Sequence, residues 1–497
     1  MFVFNISSSG WKRCRQTLAA VIANLSTVAA GMLSAWTSPI IPQLMKENTP
    51  VGTKPMNDHE ISWLSSVTGL ASLVALLFYA FLAGKTSNKI LGWVSAVSAT
   101  VSWLLIYFAK NFYYLLIARI FAGVVCGLTF SMTPVYVSQI AQDSIRGQLG
   151  SLLCFGFNVG NLASAILGAQ LSYHNFALCG TVIPLIFIAG FISLPESPMY
   201  LLRKGHIDGA TRSLLWLRNN DKEEVDNELI QLQKYVTSHS RKTTGLKELF
   251  RNPGTIKALI ISVTLFAGQH TSGYAIMITY TTTIFELANT SVDPYIASVV
   301  MSVIQIIGSW ISTLTIDRFG RRKLVLASCA GIIMSHVVFG IMYVFQHHKY
   351  DLSSISWVPV VTMSAYALVY SAGLGPSTSV VCSEIFSPDI VSLGLSVALS
   401  TEFISNFCTT LAFPLFTAKF GIHVSFFVLA FFAAVTLTII FFLLPETKGK
   451  TKSDIFAELN GSRKATEHAA VVLNEKGLNS ISLMQPFSAG KSVNSIT

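Results

Sequence analysis

The stretch TLAAVIANLSTVAAGMLSAWTSPII, Thr17 to Ile41, runs for 25 residues without a charge. As a helix rising 1.5 Å per residue it covers the ~30 Å of a bilayer's hydrocarbon with length to spare. Eleven comparable apolar blocks follow, near 61–83, 90–109, 113–138, 148–171, 176–195, 256–284, 295–316, 324–345, 357–381, 393–417 and 422–444. Together they predict an all-α membrane protein of twelve transmembrane helices. Composition agrees, with 52% hydrophobic and 12% charged residues against about 25% charged in soluble domains. The first block is too long for a signal-peptide core and has no clear cleavage site, so no cleavable signal is expected.

The net charge of +10 is explained by where the cations lie. With both termini on one side of the membrane, the loops and tails of that side hold 27 of the 34 Lys and Arg. The other side holds Lys46, Lys54, Lys110, Lys349 and Lys419. That asymmetry is the positive-inside signal, so both termini are expected in the cytosol of a plasma-membrane protein, and no nucleic-acid partner is implied. The seven Cys lie mostly in apolar blocks without metal-site or redox spacing and read as small buried hydrophobes. Asn289-Thr290-Ser291 is a glycosylation sequon on the outer side, with Asn289 as acceptor.

Five regions follow: a cytosolic N-terminus 1–16, a six-helix bundle 17–195, a cytosolic linker 196–254, a second bundle 255–445 and a disordered cytosolic tail 446–497. In the linker, HIDGATRSLLWLRN and EEVDNELIQLQKYV space their apolar residues at three and four, which predicts short amphipathic helices. Ser197 can cap a helix that has Pro198 in its first turn. The halves share punctuation. Pro195-Glu196 and Pro445-Glu446 end spans six and twelve, while Ser138-Gln139-Ile140 and Ser383-Glu384-Ile385 follow spans four and ten. These offsets indicate an internal repeat.

Polar groups inside apolar spans are costly and tend to face a bundle interior or a wet cavity. Cys154, Asn158 and Asn161 in span five fall at i, i+4 and i+7, on one helix face. Gln269, His270 and Ser272 cluster before Gly273 in span seven, Gln305 lies in span eight, and Glu402 and Asn406 stand four apart in span eleven. Amides donate to and accept from hydroxyls, so a converging set of them suits a polyol-sized ligand. Such groups can also simply tie helices together.

TLTIDRFGRRK (313–323), PVYVSQIAQDSIRG (134–147), PESPMYL (195–201) and PETKG (445–449) resemble the signature set of sugar porters in the major facilitator superfamily. WTSPIIPQL at the end of span one resembles insect facilitated trehalose transporters and their glucose-transporter relatives, and the likeness covers residues 15–450. It implies two pseudo-symmetric six-helix bundles around a midplane cavity and facilitative transport of a sugar, trehalose or hexose, by alternating access. Of the sugar contacts it implies, Gln269 and Asn406 match, and Gln305 replaces one amide with another. Cys154, Ala275, Ser379, Phe403 and Glu402 depart from the pattern, Ser379 and Phe403 each replacing a Trp.

The resemblance also bears on coupling and gating. Where proton-coupled relatives carry an Asp in span one, this chain has Thr37, and no acid lies between Leu18 and Gln43, which favours passive transport. Glu402, with no evident partner in the sequence, keeps proton symport open, and a non-transporting solute sensor is a further alternative. Arg119 in RIFAGVVCG matches an intramembrane Arg of the pattern. Asp317, Arg318, Arg321, Arg322 and Glu384 make up the charged latch of the second half, although Val391 replaces an Arg. In the first half, Gly84 stands at the Asp position, Ser87 at the Gly position and Gln139 at the Glu position. Arg146 thereby loses an acidic partner, which implies a weaker cytosolic latch. No phosphate-binding loop, metal cluster or catalytic triad spacing occurs, so neither enzyme activity nor a cofactor is expected.

Overall fold

A computed structural model describes residues 8–82, 84–239, 245–387 and 390–461. Among them, eleven helical segments are long and apolar enough to cross a bilayer. The expected span 256–284 is not one helix but two, Pro253–Thr271 and Tyr274–Leu287. Gly273 separates them with φ +94°, a left-handed conformation that glycine adopts without steric cost. The carbonyl of Ser272, left without a helical partner by the break, lies 2.8 Å from His336 Nε2 in span nine.

The remaining spans are Ser8–Ala35 continuing as Thr37–Leu44, Asp58–Leu82, Asn88–Tyr107, Phe112–Ile140, Asp143–Gln170 and Tyr173–Ser193 in the first half. Pro294–Phe319, Arg321–His347, Val358–Val369 continuing through a π-turn into Gly375–Ile385, Val391–Phe420 and Ile422–Leu443 complete the second. Their packing repeats. Span one lies on five, two on four and three on six, as seven lies on eleven, eight on ten and nine on twelve. The two six-helix bundles meet along spans two and eleven and spans five and eight.

Small residues set the closest approaches. Gly123 and Gly127 in span four abut the carbonyls of Thr68 and Ser72 in span two, where an added Cβ would collide. Ser72 Oγ donates to Gly123 O at 2.9 Å across the same seam. Polarity is arranged for lipid: Val74, Leu77, Phe78 and Phe81 of span two are exposed while Ser62, Ser65, Ser66 and Ser72 are buried. Backbone groups in such helices are satisfied internally, so apolar side chains can face hydrocarbon.

Three short helices, Pro198–Arg203, Ile207–Leu217 and Lys222–His239, occupy the linker. The first is capped by Ser197, which accepts from Tyr200 N at 3.3 Å. The buried Arg218 guanidinium pairs with both oxygens of Glu228 at 2.7 Å and donates to Ile140 O at the end of span four. We call the side bearing these helices the linker face and the other the far face. The tail departs from the expected disorder over 452–459, where Lys452–Leu459 is a helix with a Thr451/Asp454 capping box. Buried Ile455 and Leu459 hold it, and Asn460 Oδ1 accepts from Gly254 N at 2.8 Å. Residues 462–497 lie outside the described residues. Cys126, Cys329 and Cys382 are buried as expected, whereas Cys14, Cys179 and Cys408 are exposed.

Candidate functional site

A cavity of about 150 Å³ lies between the two bundles. Cys154, Asn158, Gln269, His270, Glu402 and Asn406 line it, together with Arg119. Six candidate contacts from spans five, seven and eleven therefore share one space. The other three do not. Asn161 and Gln305 line a separate chamber of about 20 Å³ toward the far face. Ser379 is exposed, donates to Pro376 O at 3.3 Å and is absent from both linings.

The cavity groups differ in how much bonding capacity they keep. Gln269 accepts from Tyr370 Oη at 3.1 Å and donates to Gly375 O at 3.4 Å. An amide offers two donors and two lone pairs, so one of each remains. Asn158 donates to Ser309 Oγ at 2.7 Å across the bundle interface. Glu402 is not alone, contrary to the sequence reading: His270 Nε2 lies 3.5 Å from its carboxylate. The two residues are 132 positions apart, beyond the reach of any local pattern. Tyr274 stacks on Tyr370 with centroids 4.2 Å apart and planes at 14°, giving the cavity an aromatic wall that the sequence reading missed. Its signal was a tyrosine directly after the helix-breaking Gly273.

Arg119 is a buried tie among three spans. Its guanidinium donates to Leu33 O of span one, Leu64 O of span two at 3.2 Å and Thr68 Oγ1 at 2.9 Å. On the far face the halves are joined by Ser38 and Thr282, whose hydroxyls are 3.1 Å apart, and by Lys46 with Glu286 at 3.7 Å.

On the linker face, each bundle sets a carboxylate at the start of its third helix. Glu446 accepts from Arg321 N at 3.0 Å and approaches so closely that a Cβ on Gly320 would strike it. Glu196 accepts from Ser87 Oγ, which itself caps span three. A negative charge at a helix N-terminus is favourable on both counts. The rest of the second cluster is charged. Arg321 reaches Glu384 at 3.1 Å, Arg322 donates to Phe441 O at 2.7 Å, and Lys448 Nζ donates to the Arg318 carbonyl at 2.7 Å. Asp317 lies in the span-eight helix, but its side chain lies outside the described residues.

In the first cluster Glu196 is the carboxylate, and position 139 carries a neutral amide. Gln139 Oε1 accepts from Asn88 at 3.3 Å and from Ser197 at 2.6 Å, so an amide oxygen occupies the acceptor role of the missing carboxylate. Arg146 donates to Ala141 O at 3.3 Å and is not unpartnered. Gly84 has φ +74°, whereas Asp317 is helical. The two positions therefore differ in backbone as well as side chain, and an Asp at 84 would be strained.

The family model for sugar (and other) transporters matches residues 17–458. The chain belongs to that family. This transporter is 28% identical over 452 residues to the facilitated trehalose transporter Tret1 of Polypedilum vanderplanki, covering 90% of this chain and 88% of the relative. It is 29% identical to the Bombyx mori protein of the same name over 451 residues, with 90% and 88% covered. Among solved structures, the Escherichia coli xylose transporter XylE in a partially occluded inward open conformation superposes with a TM-score of 0.74. The match has 18% identity and covers 88% of this chain and 99% of that one. The proton:xylose symporter XylE bound to 6-bromo-6-deoxy-D-glucose gives 0.72 at 18% identity, over 90% and 100%. These likenesses establish the major facilitator fold. The transporter is thus a multi-pass membrane protein and not an enzyme, with its cavity where the two bundles of that fold meet.

Proposed function

We propose that the chain carries a neutral sugar, trehalose or a hexose, down its gradient across the plasma membrane, with both termini in the cytosol. Bundles 17–195 and 255–445 rock about the cavity, with the linker 196–254 and the segment 446–497 on the cytosolic side. The observation that carries this reading is a cavity lined from both bundles by amides, hydroxyls and a stacked tyrosine pair. Cys154, Asn158, Gln269, His270, Glu402 and Asn406 hold the solute there. Asp317, Arg318, Arg321, Arg322 and Glu384 act with Arg146 in closing the cytosolic side, and Arg119 braces the first bundle. Asn289, exposed in the turn after span seven, is the glycan acceptor.

Uptake of labelled trehalose, glucose and fructose into liposomes holding the purified protein tests this. Saturable uptake without a pH gradient is expected, and Glu402→Gln should retain it. The Glu402 and His270 pair favours a second reading, proton symport. Uptake that requires an inward proton gradient and vanishes in Glu402→Gln would establish symport in place of passive transport.

A further expectation concerns the residual bonding capacity of the cavity amides. Gln269→Ala or Asn158→Ala should weaken apparent sugar affinity by about 1–3 kcal/mol, the cost of leaving a partner unpaired. Unchanged affinity in both variants at normal surface expression would reassign these amides to helix packing.

A further inference from the structure

The main cavity holds a charge that a neutral sugar does not call for. Among the described residues Glu402 is the one carboxylate in its lining, at a position that departs from the sugar-porter pattern. Its one ionic neighbour among those residues is His270, whose Nε2 lies 3.5 Å away. His270 is 4% exposed, and neither of its ring nitrogens makes a hydrogen bond to a described residue. Arg119, the cation in the same lining, is engaged elsewhere by Leu33 O, Leu64 O and Thr68 Oγ1. A carboxylate and an orphaned imidazole thus face one space with no fixed cation between them. Charge inside a membrane is costly, and where it persists it marks the path of a ligand or an ion.

We propose that Glu402 is the counter-ion for a protonated amine, so that the cavity admits amino sugars in their cationic form beside neutral ones. The inference rests on the sugar-transport reading of the cavity. An ionised carboxylate offers acceptors only, and a neutral imidazole adds one more. An ammonium group is the complement, with three donors, no acceptor and a positive charge. A sugar hydroxyl brings one donor and no charge. The surroundings suit a cation as well. Tyr274, its ring 6.2 Å from that of His270, stacks on Tyr370, and aromatic rings attract cations. Asn406, also in the lining, stands about one helical turn beyond Glu402. One face of span eleven can therefore hold the amine and a neighbouring hydroxyl at once.

The test sets glucose against 2-amino-2-deoxyglucose and 6-amino-6-deoxyglucose, each with an amine in place of one hydroxyl. All three compete with labelled trehalose or glucose for uptake into liposomes holding the full chain. At least one amino sugar should compete about tenfold more strongly than glucose, since a charge-assisted bond replaces a neutral one. Glu402→Gln should abolish that preference, whatever it does to either affinity alone, and Glu402→Asp should keep it. A carried cation moves charge, so an inside-negative potential should speed uptake of the labelled amino sugar. Competition by both amines no stronger than that of glucose, a preference that survives Glu402→Gln, or amine uptake indifferent to the potential overturns the proposal. If Glu402→Gln does not fold, the competition and the potential dependence of the wild type decide. A protein that carries a neutral sugar without preferring an amine leaves the sugar-transport reading standing. One that carries neither kind of sugar overturns both.

Discussion

Arg119→Ala is expected to lower the thermal stability of the detergent-solubilised protein and to bring sugar uptake below detection. The guanidinium is 2% exposed and bonds acceptors on spans one and two from its place on span four. Truncation removes three charge-assisted hydrogen bonds and leaves a void among the three helices. Burying a lone cation is itself unfavourable, so its removal recovers part of the loss. Each charge-assisted bond is worth roughly 1.5–3 kcal/mol, and three of them outweigh that recovery. Arg119→Met refills most of the volume without the donors, so its difference from Ala isolates packing. Arg119→Lys offers a point charge in place of a planar fork and should rescue only part. An Ala variant that melts with the wild type would show that the three acceptors are indifferent to the guanidinium.

Gly69→Leu should reduce uptake by at least about tenfold while sparing the fold of each bundle. Gly69 of span two faces the backbone of span eleven, where an added Cβ would lie 2.8 Å from Phe407 N and 2.9 Å from Phe403 O. Backbone on both sides cannot move aside as a flexible side chain could, so the bundles themselves must part. Overpacking of this kind costs about 1–3 kcal/mol, and about 1.4 kcal/mol shifts a two-state equilibrium tenfold. A reporter cysteine near Ile41 should then label faster from the far face, once the exposed Cys14, Cys179 and Cys408 are replaced. Wild-type uptake together with unchanged labelling would show that this contact is no obstacle to closure.

The sequence resolved what depends on local pattern. Apolar blocks located the spans because a helix must be long enough to cross hydrocarbon wherever it sits. The close seam at Gly123 and Gly127 is local in origin too, because a missing side chain has the same consequence in any packing partner. What depends on distant partners was not legible. Asn158 and Asn161 share a helix stripe, yet Asn158, bonded to span eight, lines the main cavity and Asn161 the chamber beside it. Glu402 looked unpaired because His270 comes from another span. The first-half latch looked weaker because a missing charge is visible in a sequence, whereas the bonds that Gln139 Oε1 accepts from Asn88 and Ser197 depend on distant partners. The break at Gly273 fell between, since a glycine after polar residues marks a weak point without saying whether the neighbours will use it.

That break changes how force passes through the molecule. An unbroken helix behaves as a stiff rod, and a tilt imposed at one end arrives at the other. Here the far-face piece Tyr274–Leu287 is joined to the rest of its span through one left-handed residue, with His336 gripping the carbonyl beside it. Ser38 fastens that piece to the short far-face segment Thr37–Leu44. Two far-face segments, one from each bundle, are thus clasped to each other. A bend at the joint need not be carried down the whole span, and the side chain that holds the carbonyl there belongs to a neighbouring helix.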